Sequence, residues 1–312
     1  MVRFLVTGGA GFIGANMVQH LLSRGHAVSV LDDFSTGKRG NLPADGSSFT
    51  LIEGSICDPA AVSAAMKGCD CCIHLAAIPS VARSIHDPLA SNRANVEGSI
   101  HVFLAARDAG LRRVVYASSS SVYGNAPRYP VDETLPRAPI SPYGVSKAAV
   151  EMYAETFSRL FGIELVGLRY FNVFGPRQDP DSAYAAVIPR FITRMLRKEA
   201  PVVYGDGLHA RDFTYVDNVT EANLAACLYP APLTGVFNIA CGRPIRLLDL
   251  VQQINRCCGT DIAPVFEPPR AGDILRSEAA ITRAHEAFGF TPRISFEDGL
   301  AKTVAWYQAQ GA

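Results

Sequence analysis

The sequence predicts an α/β protein: a doubly wound parallel sheet followed by a smaller, mixed α/β lobe. Three observations carry this. Short β-branched runs alternate with longer amphipathic stretches through the first half of the chain, as in a parallel sheet with helices on both faces. A glycine-rich turn stands at the first strand–helix junction. Beyond about residue 173 the alternation weakens, and Pro and Gly become more frequent.

Residues 2–7 read as a buried strand and 12–24 as a helix stopped by Gly25. Further strands are expected at 27–32, 49–53, 70–76, 113–118 and 164–173. A helix over 92–109 should end at Gly110. A longer one over 142–161 has Ser141 as its cap, Pro142 in its first turn and Gly162 at its end. The second lobe is expected to hold helices near 185–198, 246–258 and 296–308 and a short strand at 202–204. This places a cofactor-type domain over 1–172 and a second lobe over 173–312, with some segments, about 212–240, able to return to the first. With no low-complexity linker and no internal repeat, the lobes should share a large interface.

Composition narrows the class. The 312 residues are 48% hydrophobic, enough for a sizeable core. Lys+Arg and Asp+Glu both number 29, so no global field draws nucleic acid or anionic membrane. The first residues lead straight into the apolar run Phe4-Leu5-Val6, and no apolar run approaches 18 residues, so a cytoplasmic protein without membrane segments is expected. The eight cysteines lack zinc-ligand spacing, so no metal site is expected. Buried free thiols are the plain reading, with redox or metal roles the alternative.

Residues 7–14 read Thr-Gly-Gly-Ala-Gly-Phe-Ile-Gly. Gly8, Gly11 and Gly14 permit a tight turn that lets backbone N–H groups and a helix N-terminus approach a pyrophosphate. The spacing of Gly9, Gly11 and Gly14 also satisfies G-x-G-x-x-G, which makes the sheet Rossmann-type. Asp32 closes the second strand, 18 residues after Gly14. A carboxylate there accepts hydrogen bonds from an adenosine ribose and repels a 2′-phosphate, so NAD is expected over NADP. Lys38 and Arg39 follow closely and leave a small opening for NADP.

Tyr143 and Lys147 stand at i and i+4, on one helix face. Alone, this spacing mostly means surface packing. Its weight comes from the run Ser118-Ser119-Ser120-Ser121 at the end of the preceding strand, where ligands meet a doubly wound sheet. A tyrosine base needs its pKa brought from ~10 to ~7, about 4 kcal/mol of preferential phenolate stabilisation. A lysine one turn away and a cationic nicotinamide are suitable sources. With a serine hydroxyl on the same substrate oxygen, the set fits hydride transfer at a secondary alcohol.

These segments, with His74-Leu75-Ala76-Ala77, Ser141-Pro142-Tyr143-x-x-x-Lys147, the stretch Leu168-Arg169-Tyr170-Phe171-Asn172-Val173-Phe174-Gly175-Pro176, Arg211-Asp212-Phe213 and Arg270-Ala271-Gly272-Asp273, resemble the extended short-chain dehydrogenase/reductases over essentially the whole chain. The likeness is greatest to UDP-hexose 4-epimerases, in particular the subgroup acting on UDP-N-acetylhexosamines, to which Ala183-Tyr184-Ala185-Ala186-Val187-Ile188-Pro189 is similar. The resemblance implies bound NAD, a UDP-sugar substrate and a homodimer. Tyr143 would be the base, Lys147 its electrostatic partner and Ser119 the catalytic hydroxyl, with Ser120 and Ser121 able to contribute. Cofactor contacts would fall to Gly8, Gly11, Phe12, Ile13, Gly14, Asp32, Ser55, Ile56, Ala76, Tyr143 and Lys147. Substrate contacts would fall to the serines, Asn172, Val187, Tyr204, Arg211, Arg270, Asp273 and Ser277.

Ser55 departs from the family, which usually has an Asp contacting the adenine amino group, and nearby Asp58 could substitute. Relatives that eliminate water typically carry an Asp-Glu pair after the catalytic hydroxyl, whereas Ser120-Ser121-Val122 holds no carboxylate. The resemblance therefore implies inversion at C4 through a 4-keto sugar. A UDP-glucuronate 4-epimerase, a nucleotide-sugar dehydratase and a non-catalytic NAD or nucleotide-sugar sensor are the other readings. Ser277, seven beyond Arg270, would gate the sugar C2 group. A small residue there admits an acetamido group, and the plainer role is to cap a helix starting near Glu278.

Overall fold

The computed structural model describes residues 1–44, 48–180, 186–269 and 276–311. In chain order its strands are β1 (Arg3–Thr7), β2 (Ala27–Asp32), β3 (Thr50–Glu53), β4 (Cys71–His74), β5 (Arg113–Ser119), β6 (Glu164–Tyr170), β7 (Val173–Phe174), β8 (Val202–Tyr204), β9 (Ala210–Asp212), β10 (Thr214–Tyr215), β11 (Gly235–Ile239), β12 (Pro244–Arg246) and β13 (Val265–Glu267). The helices are α1 (Phe12–Ser23), α2 (Pro59–Met66), α3 (Val81–His86), α4 (Pro88–Asn92), α5 (Gly98–Asp108), α6 (Pro142–Phe161), α7 (Val187–Leu196), α8 (Val216–Leu228), α9 (Leu247–Cys258), α10 (Thr282–Phe288) and α11 (Phe296–Ala309).

Seven strands form one parallel sheet in the order β11-β6-β5-β4-β1-β2-β3. The order reverses between β1 and β4, which opens a crevice at their C-terminal ends. Both faces are buried, and each has its own core. One joins Phe4, Val6, Met17 and Val30 to Val219 of α8, Phe237 of β11 and Phe288 of α10. The other joins Leu5, Leu31, Val62, Phe103, Val114 and Val150. A third core, around Phe174, Ile192, Phe213, Leu250 and Val304, holds the second lobe together. Apolar runs buried on both faces are what parallel strands require.

Residues 216–239 and 282–290 lie against the main sheet, so the chain passes between the two layers more than once. Arg113, buried at the start of β5, secures one such return. It donates from Nε to Glu164 Oε2 at 2.7 Å and from its Nη groups to the carbonyls of Ala226, Tyr229 and Ala231 at 2.6, 2.8 and 2.7 Å. A guanidinium thereby satisfies carbonyls at and beyond the C-terminus of α8.

Helix ends follow their expected chemistry. Ser141 Oγ accepts from Gly144 N at 3.1 Å, and Gly162 ends α6 at φ 70°. The helix expected over 92–109 is longer than the sequence suggested. α4 runs through one wider turn at Arg93–Glu97 into α5, without a break. The strand expected over 164–173 stops at Tyr170, because Asn172 takes a left-handed φ of 37°. No helix starts at Glu278. Ser277 exchanges backbone hydrogen bonds with β9, its N–H donating to Ala210 O at 3.0 Å and its O accepting from Asp212 N at 2.9 Å. That pairing holds the segment extended, so the capping role is excluded.

Candidate active site

The glycine turn has no room for side chains at Gly8 or Gly14. A Cβ on Gly14 would stand 2.0 Å from Gly8 O, and one on Gly8, at φ +68°, would stand 2.7 Å from the Ala76 backbone. Ala76 N is held in turn by Thr7 Oγ1 at 3.2 Å. Thr7 Oγ1 also meets His74 Nδ1 at 2.7 Å, and His74 Nε2 meets Ser99 Oγ at 2.9 Å. Burial and the charge of Lys147 push His74 down to about 3, so this chain of contacts is neutral. No side chain caps α1, which leaves its partial positive charge to an anion. Phe12 and Ile13 pack into the second-lobe core, so their contribution to a ligand would come from the backbone.

Asp32 is buried at the end of β2 and accepts from Ala10 N and Phe34 N, both at 2.8 Å. Burial raises its pKa, and the two backbone donors oppose the rise. Its oxygens retain lone pairs for a ribose. Lys38 lies 3.0 Å from Asp179, and Arg39 pairs with Glu53 while stacking on Phe34. Both cations near Asp32 are thus engaged by carboxylates, which disfavours a 2′-phosphate. The Ser55 hydroxyl bonds Asp33, helping to hold that carboxyl below its usual range although burial raises it. Asp58 caps α2 through Ala60 N at 2.9 Å, and that task occupies one of its carboxylate oxygens. Ile56 is buried against Gly98.

The end of β5 meets α6 through three consecutive residues. Ala117 O accepts from Lys147 Nζ at 2.8 Å. Ser118 Oγ donates to Glu151 Oε1 at 2.5 Å. The Ser119 hydroxyl faces the Tyr143 phenol and favours its ionised form. Ser121 Oγ donates to Ser119 Oγ at 2.9 Å, so Ser118, Ser119 and Ser121 differ in their partners. Ser118 is committed to the interior, and Ser119 faces the tyrosine.

Burial raises the Tyr143 pKa, and the Ser119 hydroxyl partly offsets this. Burial lowers Lys147 to about 8, against the opposing charge of Glu151. Lys147 Nζ is 5.9 Å from the centre of the Tyr143 ring. Asn95 Nδ2 bonds Ser146 Oγ at 3.1 Å while its Oδ1 takes Ile78 N at 2.7 Å, tying the loop after β4 to α6.

Beyond the sheet, Asn172 Nδ2 donates to Asp212 O at 3.0 Å and to Ser277 Oγ at 3.1 Å. Arg211 lies beside them on β9, its Nη1 donating to Ala210 O at 3.2 Å. Buried Asp212 accepts from Cys241 N, Gly242 N and Ala279 N at 3.0, 2.9 and 3.3 Å. It clamps this corner, and the sequence reading assigned it no role. Val187 opens α7, and half-buried Tyr204 ends β8. Arg270, Asp273 and residues 183–185 lie outside the described residues.

The reading also missed Glu151 and Arg169. Glu151 is fully buried and bonded twice by Arg169, at 2.8 and 2.7 Å, and once by Arg137 at 2.6 Å. The available signal was spacing, since Glu151 falls four residues after Lys147 on one helix face.

A Rossmann-type sheet, a glycine turn closed to side chains at Gly8 and Gly14 and a Ser–Tyr–Lys set at the crevice define a dinucleotide-dependent enzyme of the extended short-chain dehydrogenase/reductase architecture. The chain belongs to the NAD dependent epimerase/dehydratase family, whose model matches residues 4–240. It is 38% identical to a UDP-glucose 4-epimerase of Mycolicibacterium smegmatis, over 98% of this chain and 99% of that one. It is 35% identical to a dTDP-glucose 4,6-dehydratase of Streptomyces niveus, over 98% and 93%. Among solved structures, it matches the UDP-N-acetylglucosamine 4-epimerase from Methanobrevibacter ruminantium M1 in complex with UDP-N-acetylmuramic acid, with TM-score 0.94, 38% identity and 99% of both chains covered. NAD is the cofactor.

Replacing Asp32 by Ala removes the acceptor at the end of β2. NAD affinity should fall about tenfold or more while discrimination against NADP shrinks, since one charge-assisted hydrogen bond is worth ~1.5–3 kcal/mol. Equilibrium titration of both dinucleotides reads this, and a wild-type preference for NADP would refute the role.

Proposed function

We propose that this chain inverts C4 of UDP-hexoses, interconverting UDP-GlcNAc with UDP-GalNAc and UDP-Glc with UDP-Gal. The observation that carries the reading is the Ser119–Tyr143–Lys147 set, followed by a turn with no carboxylate. Ser120 and Ser121 are hydroxyls and Val122 is buried, so that turn offers no second acid to eliminate a C6 hydroxyl. This favours epimerisation over the dehydration named for the Streptomyces niveus relative.

NAD, when bound, would supply the hydride acceptor and donor and, when oxidised, a positive charge that favours the phenolate. Tyr143 takes the proton of the C4 hydroxyl and returns it once the 4-keto sugar has presented its other face. Ser119 orients the same oxygen. Lys147 supports the phenolate, so activity should fall as pH rises through about 8. Asn172, Arg211 and, outside the described residues, Arg270 and Asp273 hold UDP. Guanidinium forks suit a diphosphate. Tyr204 and Val187 line the nucleotide side, and Ser277 stands at the sugar C2 group.

A homodimer belongs to the same reading. On α6, Val145, Met152, Tyr153 and Leu160 are exposed at roughly heptad spacing, and Ala149 and Ala105 are half-buried beside them. Ala154, on the opposite side of α6, is in the core against the sheet. The interface therefore uses the outward stripe of α6 with α5.

Tyr143→Phe should keep UDP-sugar binding and lose at least about a hundredfold in kcat, the usual scale of general base catalysis. Turnover within a few-fold of wild type would sink the assignment. Ser277→Tyr should abolish activity on UDP-GlcNAc by steric overlap and spare UDP-Glc. Retained UDP-GlcNAc activity in the folded variant would show that Ser277 is not the gate. Light scattering at micromolar concentration should give twice the 33.5 kDa chain mass, and a monomer would count against the interface.

A further inference from the structure

Glu151 is the most densely bonded buried charge at the catalytic end of the sheet, and no role proposed so far uses it. Its Oε1 accepts from Ser118 Oγ at 2.5 Å and Arg169 Nε at 2.8 Å. Its Oε2 accepts from Arg169 Nη2 at 2.7 Å and Arg137 Nε at 2.6 Å. These partners come from β5, β6 and the loop before α6. Arg169 reaches on to Tyr123 OH at 2.8 Å, and Tyr123 OH donates to Asn238 Oδ1 at 2.7 Å on β11.

We propose that Glu151 is a positioning residue for the reaction: one buried carboxylate fixes the strand end bearing Ser119 against the helix bearing Tyr143 and Lys147, and supplies Lys147 with a counter-charge. The geometry follows from two spacings. Tyr143, Lys147 and Glu151 recur every four residues along one face of α6. Ala117, Ser118 and Ser119 are consecutive on β5, and each meets one of those three. Moving Ser118 would move the serine that must reach the substrate oxygen. This inference rests on the roles proposed for Ser119, Tyr143 and Lys147.

The charged and titratable surroundings set the sign. Lys147 faces neutral His74 from β4, the phenol of Tyr143 and the carboxylate of Glu151. Glu151 faces Arg169 from β6, Arg137 from the preceding loop and Tyr116 from β5, with Glu155 one turn further along α6. The neutral amide in Glu151→Gln withdraws the charge that favours the ammonium. It also leaves two guanidinium groups nearby without compensation. Both effects lower the pH at which Lys147 loses its proton.

The test combines Glu151→Gln with the milder Ser118→Ala, each loaded with NAD. Protein labelled with [ε-13C]lysine, assigned through Lys147→Arg, reports the Lys147 titration by NMR without any substrate. Glu151→Gln should titrate at lower pH than wild type, with the alkaline limb of kcat moving the same way. The optimum kcat should fall about tenfold to hundredfold with KM little changed, the scale of a slightly misplaced catalytic group. Ser118→Ala keeps the charge and loses only the strand contact, so kcat should fall while the Lys147 titration stays put. A folded Glu151→Gln whose titration and pH profile match wild type would overturn the proposal, and so would Ser118→Ala with wild-type kcat. If Glu151→Gln does not fold, Ser118→Ala decides alone. An active Tyr143→Phe in the same assay would instead indict the underlying assignment of the base.

Discussion

The buried ion pair between Glu151 and Arg169 constrains how α6 seats against the sheet. Removing two such charges from water costs several kcal/mol per ion, and only good geometry with every remaining lone pair satisfied offsets it. Here the carboxylate has about four acceptor sites, and four donors fill them. Arg137 and Ser118 are therefore conditions on the pair's survival as well as additions to it. Because the donors come from a loop and two strands, satisfying one carboxylate fixes the height of α6 against the sheet. A buried network that is complete in this way rigidifies its surroundings, whereas one missing a member is worse than an apolar core.

The cofactor side reaches comparable rigidity by sterics rather than charge. Gly8 and Gly14 bring backbone onto backbone, so the turn is defined by what cannot fit there. Thr7, His74 and Ser99 continue that order inward as a neutral chain, and Asn95 links it to α6 through Ser146. The glycine turn and α6 are thus coupled through hydrogen bonds of short side chains, which lose little entropy on ordering.

The sheet was legible because strands buried on both faces must be β-branched and continuous, and the glycine turn and the Tyr–Lys spacing are local chemistry. What escaped was set by contacts distant in sequence. Nearly every turn of α8 is buried, so it shows little amphipathic contrast, and β11 is a five-residue run whose membership depends on the partner β6. Glu151 reads locally as an ordinary polar position on a long helix. Only Arg169 and Ser118, brought by β6 and β5, distinguish a buried hub from a solvated face. Ser277 shows the converse error. Its local sequence suits a helix cap, but pairing with β9 offered the same backbone groups better partners.

The two halves of the site are thereby built to different tolerances. Ser119, Tyr143 and Lys147 sit on a long strand and a long helix locked by the Glu151 hub. Tyr204 and Arg211 sit on three-residue strands and Ser277 next to an isolated bridge, held by backbone pairing and the Asp212 clamp. Under the proposed function this division has a mechanical sense. The proton-transfer groups must meet the same oxygen from either face of the sugar, so they cannot shift as the sugar turns. The residues beside the sugar have only to leave it room. A family member can then change its sugar by altering a short segment of the second lobe, without disturbing the buried charges that hold the base in place.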